Sequence, residues 1–268
     1  MEDSSQPFVP PGRKFLLVRH GNTEKVAVDS DRKLTEKGEQ QCASFRTKYA
    51  AELSRVKICV ASSVVRTMDS AWRLVGMSSE TEKNSEIAVP VAPQRQSGVE
   101  VKPLDELYFI RPGFQTPAMK YADVQLGYAP VQKYMELVPG AYEPGARQML
   151  EAVMNAVDST EGDVLIVGHA IHLSYLGLAL IDAIVEERRE EWDRGKPGGQ
   201  SVEEWREAAR RAVLPVNVGE VCGFEICADS GVRYLPNPLG TDFVTATCNA
   251  AFVGPGAAES HPQIGADP

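Results

Sequence analysis

Cysteine is sparse and badly placed for any framework. The five residues Cys42, Cys59, Cys222, Cys227 and Cys248 are odd in number and scattered, with no CxxC pair or zinc-like spacing. Neither a disulfide scaffold nor a structural zinc site is expected. Basic residues are in deficit too: 28 Lys and Arg stand against 37 Asp and Glu, a formal charge of −9. That balance excludes a general nucleic-acid binder, which needs a basic surface to release counterions. It leaves room for an anionic substrate, because a few arginines in a cleft dominate the local field. The apolar stretch from Leu173 to Val185 holds Asp182 and falls short of the roughly 20 residues that span a bilayer. The opening MEDSSQPFVPPGRK has no apolar segment of the kind a secretion signal needs. The expectation is a cytoplasmic protein with no membrane and no nucleic-acid partner.

What is present is a pattern of buried strands separated by helices. Lys14–Arg19 (KFLLVR), Val56–Ala61 (VKICVA) and Asp163–Val167 (DVLIV) are nearly unalternating apolar runs, as in a parallel sheet covered on both faces. A fourth run, Glu220–Ala228, is followed by Asp229-Ser230-Gly231 and VRYL, a hairpin signal that suggests an antiparallel edge. Helices are expected over Thr35–Tyr49, Ser63–Val75 and Arg147–Val157. The fold class is α/β: a three-layer α/β/α sandwich with a mostly parallel central sheet and helical or loop insertions forming a cap. Residues 1–13 and 253–268 read as loose tails around a domain of 14–252, with insertions at about 77–142 and 186–211.

Chemistry concentrates at strand ends. Arg19-His20-Gly21-Asn22-Thr23-Glu24 follows the first strand, and His169 follows the third in VLIVGHA. In an open α/β sheet, ligands bind in the crevice beyond the strand carboxyl ends. A histidine there can act as a nucleophile, with Arg19 gripping a phosphate in two places. Only four histidines exist, and two of them take equivalent strand-end positions. His172 has no carboxylate or third His at a ligand spacing, so no metal site is expected, and His261 falls in the tail.

RHGNTE at 19–24, LTEKGEQQ at 34–41, SSVVRT at 62–67, LDEL at 104–107 and VGHA at 167–170 together resemble the histidine phosphatase superfamily, which includes phosphoglycerate mutases and many phosphomonoesterases. The resemblance implies that His20 attacks phosphorus and is then freed by water. It implies that Arg19, Arg66 and His169 surround the phosphoryl oxygens, and that Glu106 protonates the leaving oxygen, with Asp105 as the adjacent alternative. Asn22 and Thr23 would add neutral donors to the phosphate pocket. No cofactor is implied. Where many members carry a Trp-Asn pair after the threonine-glutamate, Lys25 and Val26 stand here, which weakens a mutase reading. The degenerate Tyr142-Glu143-Pro144-Gly145 carries no function.

The partner expected is a small phosphorylated substrate. A mutase, a phosphoprotein (phosphohistidine) phosphatase and a non-catalytic phosphate-binding relative are the alternatives. Tyr108, Phe109, Phe114, Tyr121, Tyr128 and Tyr134 crowd the first insertion. They either pin it to the core or form a lid over the ester's organic group. Arg95, Lys102 and Arg111 are candidates for a second anionic contact. Nothing in the sequence names an oligomeric state.

Overall fold

The structure, a computed structural model, describes residues 9, 12–77, 98–108, 115–127, 129–158, 160–194 and 201–239. Strands are β1 (Lys14–Arg19), β2 (Val56–Ser62), β3 (Glu100–Leu104), β4 (Asp163–Gly168), β5 (Gly223–Cys227) and β6 (Gly231–Leu235). Helices are α1 (Glu36–Lys48), α2 (Ala50–Ser54), α3 (Val65–Leu74), α4 (Pro117–Leu126), α5 (Val131–Leu137), α6 (Glu143–Val157), α7 (Ala170–Arg194) and α8 (Val202–Val213). The strands form one sheet in the order β3-β2-β4-β1-β5-β6. The first four are mutually parallel, and β5 and β6 add antiparallel at one edge.

Alternation within each strand divides the core in two. Phe15 and Leu17 of β1, Ile58 and Val60 of β2, and Val164 and Ile166 of β4 pack with α6, α7 and α8. Leu16 and Val18, Cys59 and Ala61, and Leu165 and Val167 pack on the other face with α1, α2 and α3. Both faces are covered, which is why these strands read as continuous apolar runs. The hairpin expected at Asp229-Ser230-Gly231 is present, with Cys227 opposite Gly231 and Gly231 at φ +83°.

Two expectations about insertions need correction. Residues 100–104 lie inside the segment read as surface insertion, yet they form β3, the parallel edge strand beside β2. Residues 186–211 were expected to be an insertion outside the core. Instead α7 runs on to Arg194, and α8 buries Val202, Trp205, Ala209 and Val213 in the larger core, with Trp205 5.3 Å from Trp192. Charge covers only the outer face of this pair.

Among the described residues no helix is long and apolar enough to cross a membrane. The C-terminal tail, Cys248, Phe109, Phe114, Tyr128, Arg95, Arg111 and His261 lie outside the described residues, as does the N-terminal segment 1–8.

Candidate active site

The chain order makes a switch point between β1 and β4, since β1 leads through α1 to β2 on one side while β4 fills the gap between them. The register sets Arg19 of β1 opposite Gly168 of β4. The next residue of each strand is therefore His20 and His169, and their rings meet edge-on at 5.3 Å. Val167 pairs with Ala61, which brings Ser62 to the same rim. Arg66 follows on the first turn of α3. Sheet topology thus gathers residues about 150 positions apart into one crevice.

The RHGN loop is fixed by the helix that follows it. Gly21 and Gly38 touch so closely that a Cβ on Gly38 would lie 2.2 Å from the Asn22 carbonyl oxygen, and one on Gly21 would lie 2.8 Å from the Gly38 carbonyl oxygen. Thr35 caps α1 by accepting from the Gly38 N–H and also donates to Asn22 Oδ1 at 2.7 Å. Gln41, fully buried, accepts the Asn22 N–H at 2.9 Å and donates to Glu220 at 3.0 Å. The LTEKGEQQ motif is therefore the mould of the loop. The Gly21 N–H reaches Ser70 Oγ at 3.1 Å.

His20 is buried, and its Nδ1 lies 2.8 Å from the Gly21 carbonyl oxygen. A carbonyl only accepts, so Nδ1 carries the proton and Nε2 keeps its lone pair. Burial, then Arg19 and more distantly Arg66 and Arg32, hold His20 well below the usual imidazole range, against the smaller upward pull of the Gly21 carbonyl. His169 is also held well below that range, by burial first and then by His20, His172 and the arginines. Its Nδ1 accepts from Arg66 over a long 3.5 Å, which leaves Nε2–H for Ser62 Oγ at 3.2 Å.

A cavity of about 430 Å³ opens onto this cluster. Arg19, Arg32 and Arg66 line it together with His20, His169, Thr23 and the carboxylates Asp29, Asp123 and Glu220. Arg19 also donates to the Val218 carbonyl at 3.0 Å. Val216, Asn217, Val218 and Glu220 form one wall, and the next residue, Val221, has φ +48°, a costly conformation for a β-branched residue and a mark of a constrained segment.

Of the residues singled out in the sequence, Arg19, His20, Thr23, Arg66 and His169 line this one cavity. Asn22 does not. Its amide donates to Glu220 at 2.8 Å and accepts from Thr35, so the donor expected for a phosphate is spent inside the loop. Glu106 sits on a short 3-10 turn after β3 and is not among the lining residues. Two residues on, Tyr108 packs 5.4 Å from the His169 ring and donates to Asp29 at 2.8 Å. Among the other aromatics, Tyr134 is buried and lines the cavity while Tyr121 is exposed. Lys102 points away, to the Ala156 carbonyl.

Sequence reading gave no role to Asp29, Arg32, Gln41 or Glu220, and for Tyr108 it offered only a place in the insertion's aromatic cluster. Gln41 lay in a motif already quoted. Asp29 and Arg32 sit in a loop without periodicity, and nothing local announces them.

These features define an arginine-lined crevice with a neutral imidazole at its centre. Residues 15–86 match the family model of the histidine phosphatase superfamily, branch 1, and the resemblance carried by the motifs is to that superfamily. No curated protein sequence matches the chain. Among solved structures, it is similar to phosphoglycerate mutase from Bacillus anthracis str. Sterne (14% identity, TM-score 0.47, covering 82% of this chain and 90% of that one). It is also similar to phosphoserine phosphatase from Entamoeba histolytica, solved with 3-phosphoglyceric acid (14%, TM-score 0.45, 87% and 100%). A third is Bacillus stearothermophilus YhfR (20%, TM-score 0.41, 63% and 80%).

Proposed function

We propose that this protein is a phosphomonoesterase of the histidine acid type, acting on a small phosphorylated molecule through a phosphohistidine at His20. The observation that carries the reading is the His20 ring, its Nδ1 proton tied to the Gly21 carbonyl at 2.8 Å and its other nitrogen left to a cavity lined by Arg19, Arg66 and His169. Nε2 would attack phosphorus in line while the bond to the alcohol oxygen breaks. Arg19 and Arg66 would hold the equatorial oxygens, with His169 and the Thr23 hydroxyl beside them. Water then cleaves the P–N bond and releases phosphate. The proton for the leaving oxygen is assigned to Glu106, on the turn that leads to Tyr108, with Asp105 as the alternative. Fixed guanidinium charge does the work a metal would otherwise do, so the reaction is proposed to be metal-independent. Hydrolysis is favoured over mutase chemistry by Lys25 and Val26, and a cytoplasmic setting goes with it.

The test is phosphate release from para-nitrophenyl phosphate and a panel of natural phosphoesters, with and without a chelator. His20→Ala and Glu106→Gln are assayed beside the wild type. His20→Ala should abolish release while the protein stays folded; most of the activity surviving would end the nucleophile assignment. Glu106→Gln should slow esters of poor leaving groups far more than the nitrophenyl ester. Loss of activity on chelation, restored by a metal, would replace this mechanism.

A further inference from the structure

Arg66 is the buried cation best placed for a phosphoryl group, and it is already engaged. Its Nη1 donates to the Asp29 backbone carbonyl at 2.6 Å and its Nη2 to the Asp29 carboxylate at 2.8 Å. Asp29 also lines the cavity, and its carboxylate takes the Tyr108 hydroxyl at 2.8 Å and Arg32 at 3.2 Å. An acidic side chain beside the arginine of a phosphate pocket is a stand-in for the ligand, because a carboxylate and a phosphoryl edge offer guanidinium the same pair of oxygens. Resting on the reading of this pocket as a phosphoryl site, we propose that Asp29 is a resident anion on Arg66, displaced when phosphate arrives and restored when it leaves, so that it sets how fast product is released.

The loop carrying Asp29 is built to yield. The 3-10 turn Asp29–Asp31 has no buried residue, and Val26 and Val28 before it are exposed. Few backbone bonds hold it, chiefly Glu24 N–H to the Lys33 carbonyl and the two within the turn. Moving such a segment sacrifices little packing. The displaced carboxylate has partners to keep, since Arg32 lies three residues on in the same loop and Tyr108 donates to it from the segment after β3. The whole exchange trades one charge-assisted pair for another. Phosphate affinity is then the difference between the two pairs, and a site that held phosphate with Arg66 unopposed would be slow to empty.

The experiment is calorimetric titration of the full chain with inorganic phosphate, together with phosphate inhibition of nitrophenyl phosphate hydrolysis. Wild type, Asp29→Asn and Asp29→Ala are compared. Asp29→Asn keeps the shape and removes the charge, so it guards against a variant that merely misfolds. Both variants should bind phosphate about tenfold more tightly, allowing for the part-exposed setting of Asp29, and be more strongly inhibited by product. Phosphate binding that is unchanged or weaker in both folded variants overturns the proposal. So does unaltered binding with a rate loss confined to poor leaving groups, which would make Asp29 a proton donor. If no form binds phosphate, the phosphoryl-site reading falls with it. If the variants bind more tightly but wild type releases no phosphate from any ester, the resident anion stands and only the catalytic reading fails.

Discussion

The contact between Gly21 and Gly38 determines what the nucleophile's loop can be. With the Asn22 carbonyl 2.2 Å from where a Cβ on Gly38 would lie, and that neighbour being backbone, no rotamer relieves the clash. Gly38→Ala should therefore push the loop away from α1 and cost about 2 kcal/mol or more. It should also weaken phosphate binding, although residue 38 faces no ligand. Urea unfolding and phosphate titration check both, and a variant with wild-type stability would contradict the packing described. His20 and His169 were legible in the sequence because strand-end position is a strong local signal. Gly38 and Gln41 were visible as a motif, but their physical task was hidden: it depends on Asn22 and Glu220, the latter nearly 180 residues away. Asp29 was invisible for a related reason. A lone aspartate in an aperiodic loop gains meaning only when Arg66 and Tyr108 are brought to it.

At the scale of elements, β1, β2 and β4 were readable because burial on both faces leaves no polar interruptions. The edge strand β3 was not. Glu100-Val101-Lys102-Pro103-Leu104 carries two charges and a proline, and only an edge tolerates that composition. The segment at 186–211 read as an insertion since its charged residues outnumber its apolar ones, yet in α8 Val202, Trp205, Ala209 and Val213 recur at helical spacing. Its start is well specified. Ser201 accepts from the Glu204 N–H at 3.2 Å, and the Glu204 carboxylate accepts from the Ser201 N–H at 2.7 Å. Ser201→Ala should cost about 1 kcal/mol in chemical denaturation. It should leave phosphate titration unaltered, because α8 packs on α7 and β6 rather than on the cavity wall's catalytic end. A null effect on stability would show that packing alone fixes the helix start.

For the molecule as a whole, three buried histidines near one another give stability a pH dependence of definite sign. His20 and His169 are held well below the ordinary imidazole range, and His172 is pushed down to about 3, chiefly by burial. As pH falls through about 6.5 the unfolded chain takes up protons that the folded chain refuses, so stability present above that value is lost below it. The slope approaches about 1.4 kcal/mol per pH unit for each such histidine. Urea midpoints at pH 7.5, 6 and 5 should fall in that order, and His172→Gln should flatten the decline. A flat profile would mean that these rings are charged in the fold.

The same edge that escaped sequence reading has a bearing on crowding. Among the described residues β3 is the outermost strand on its side of the sheet, and it carries Glu100, Lys102 and, directly after the lysine, Pro103, which has no N–H to offer. A stray strand from another copy meets a broken row of donors and two charges there, so fibril-like stacking should not begin on that side.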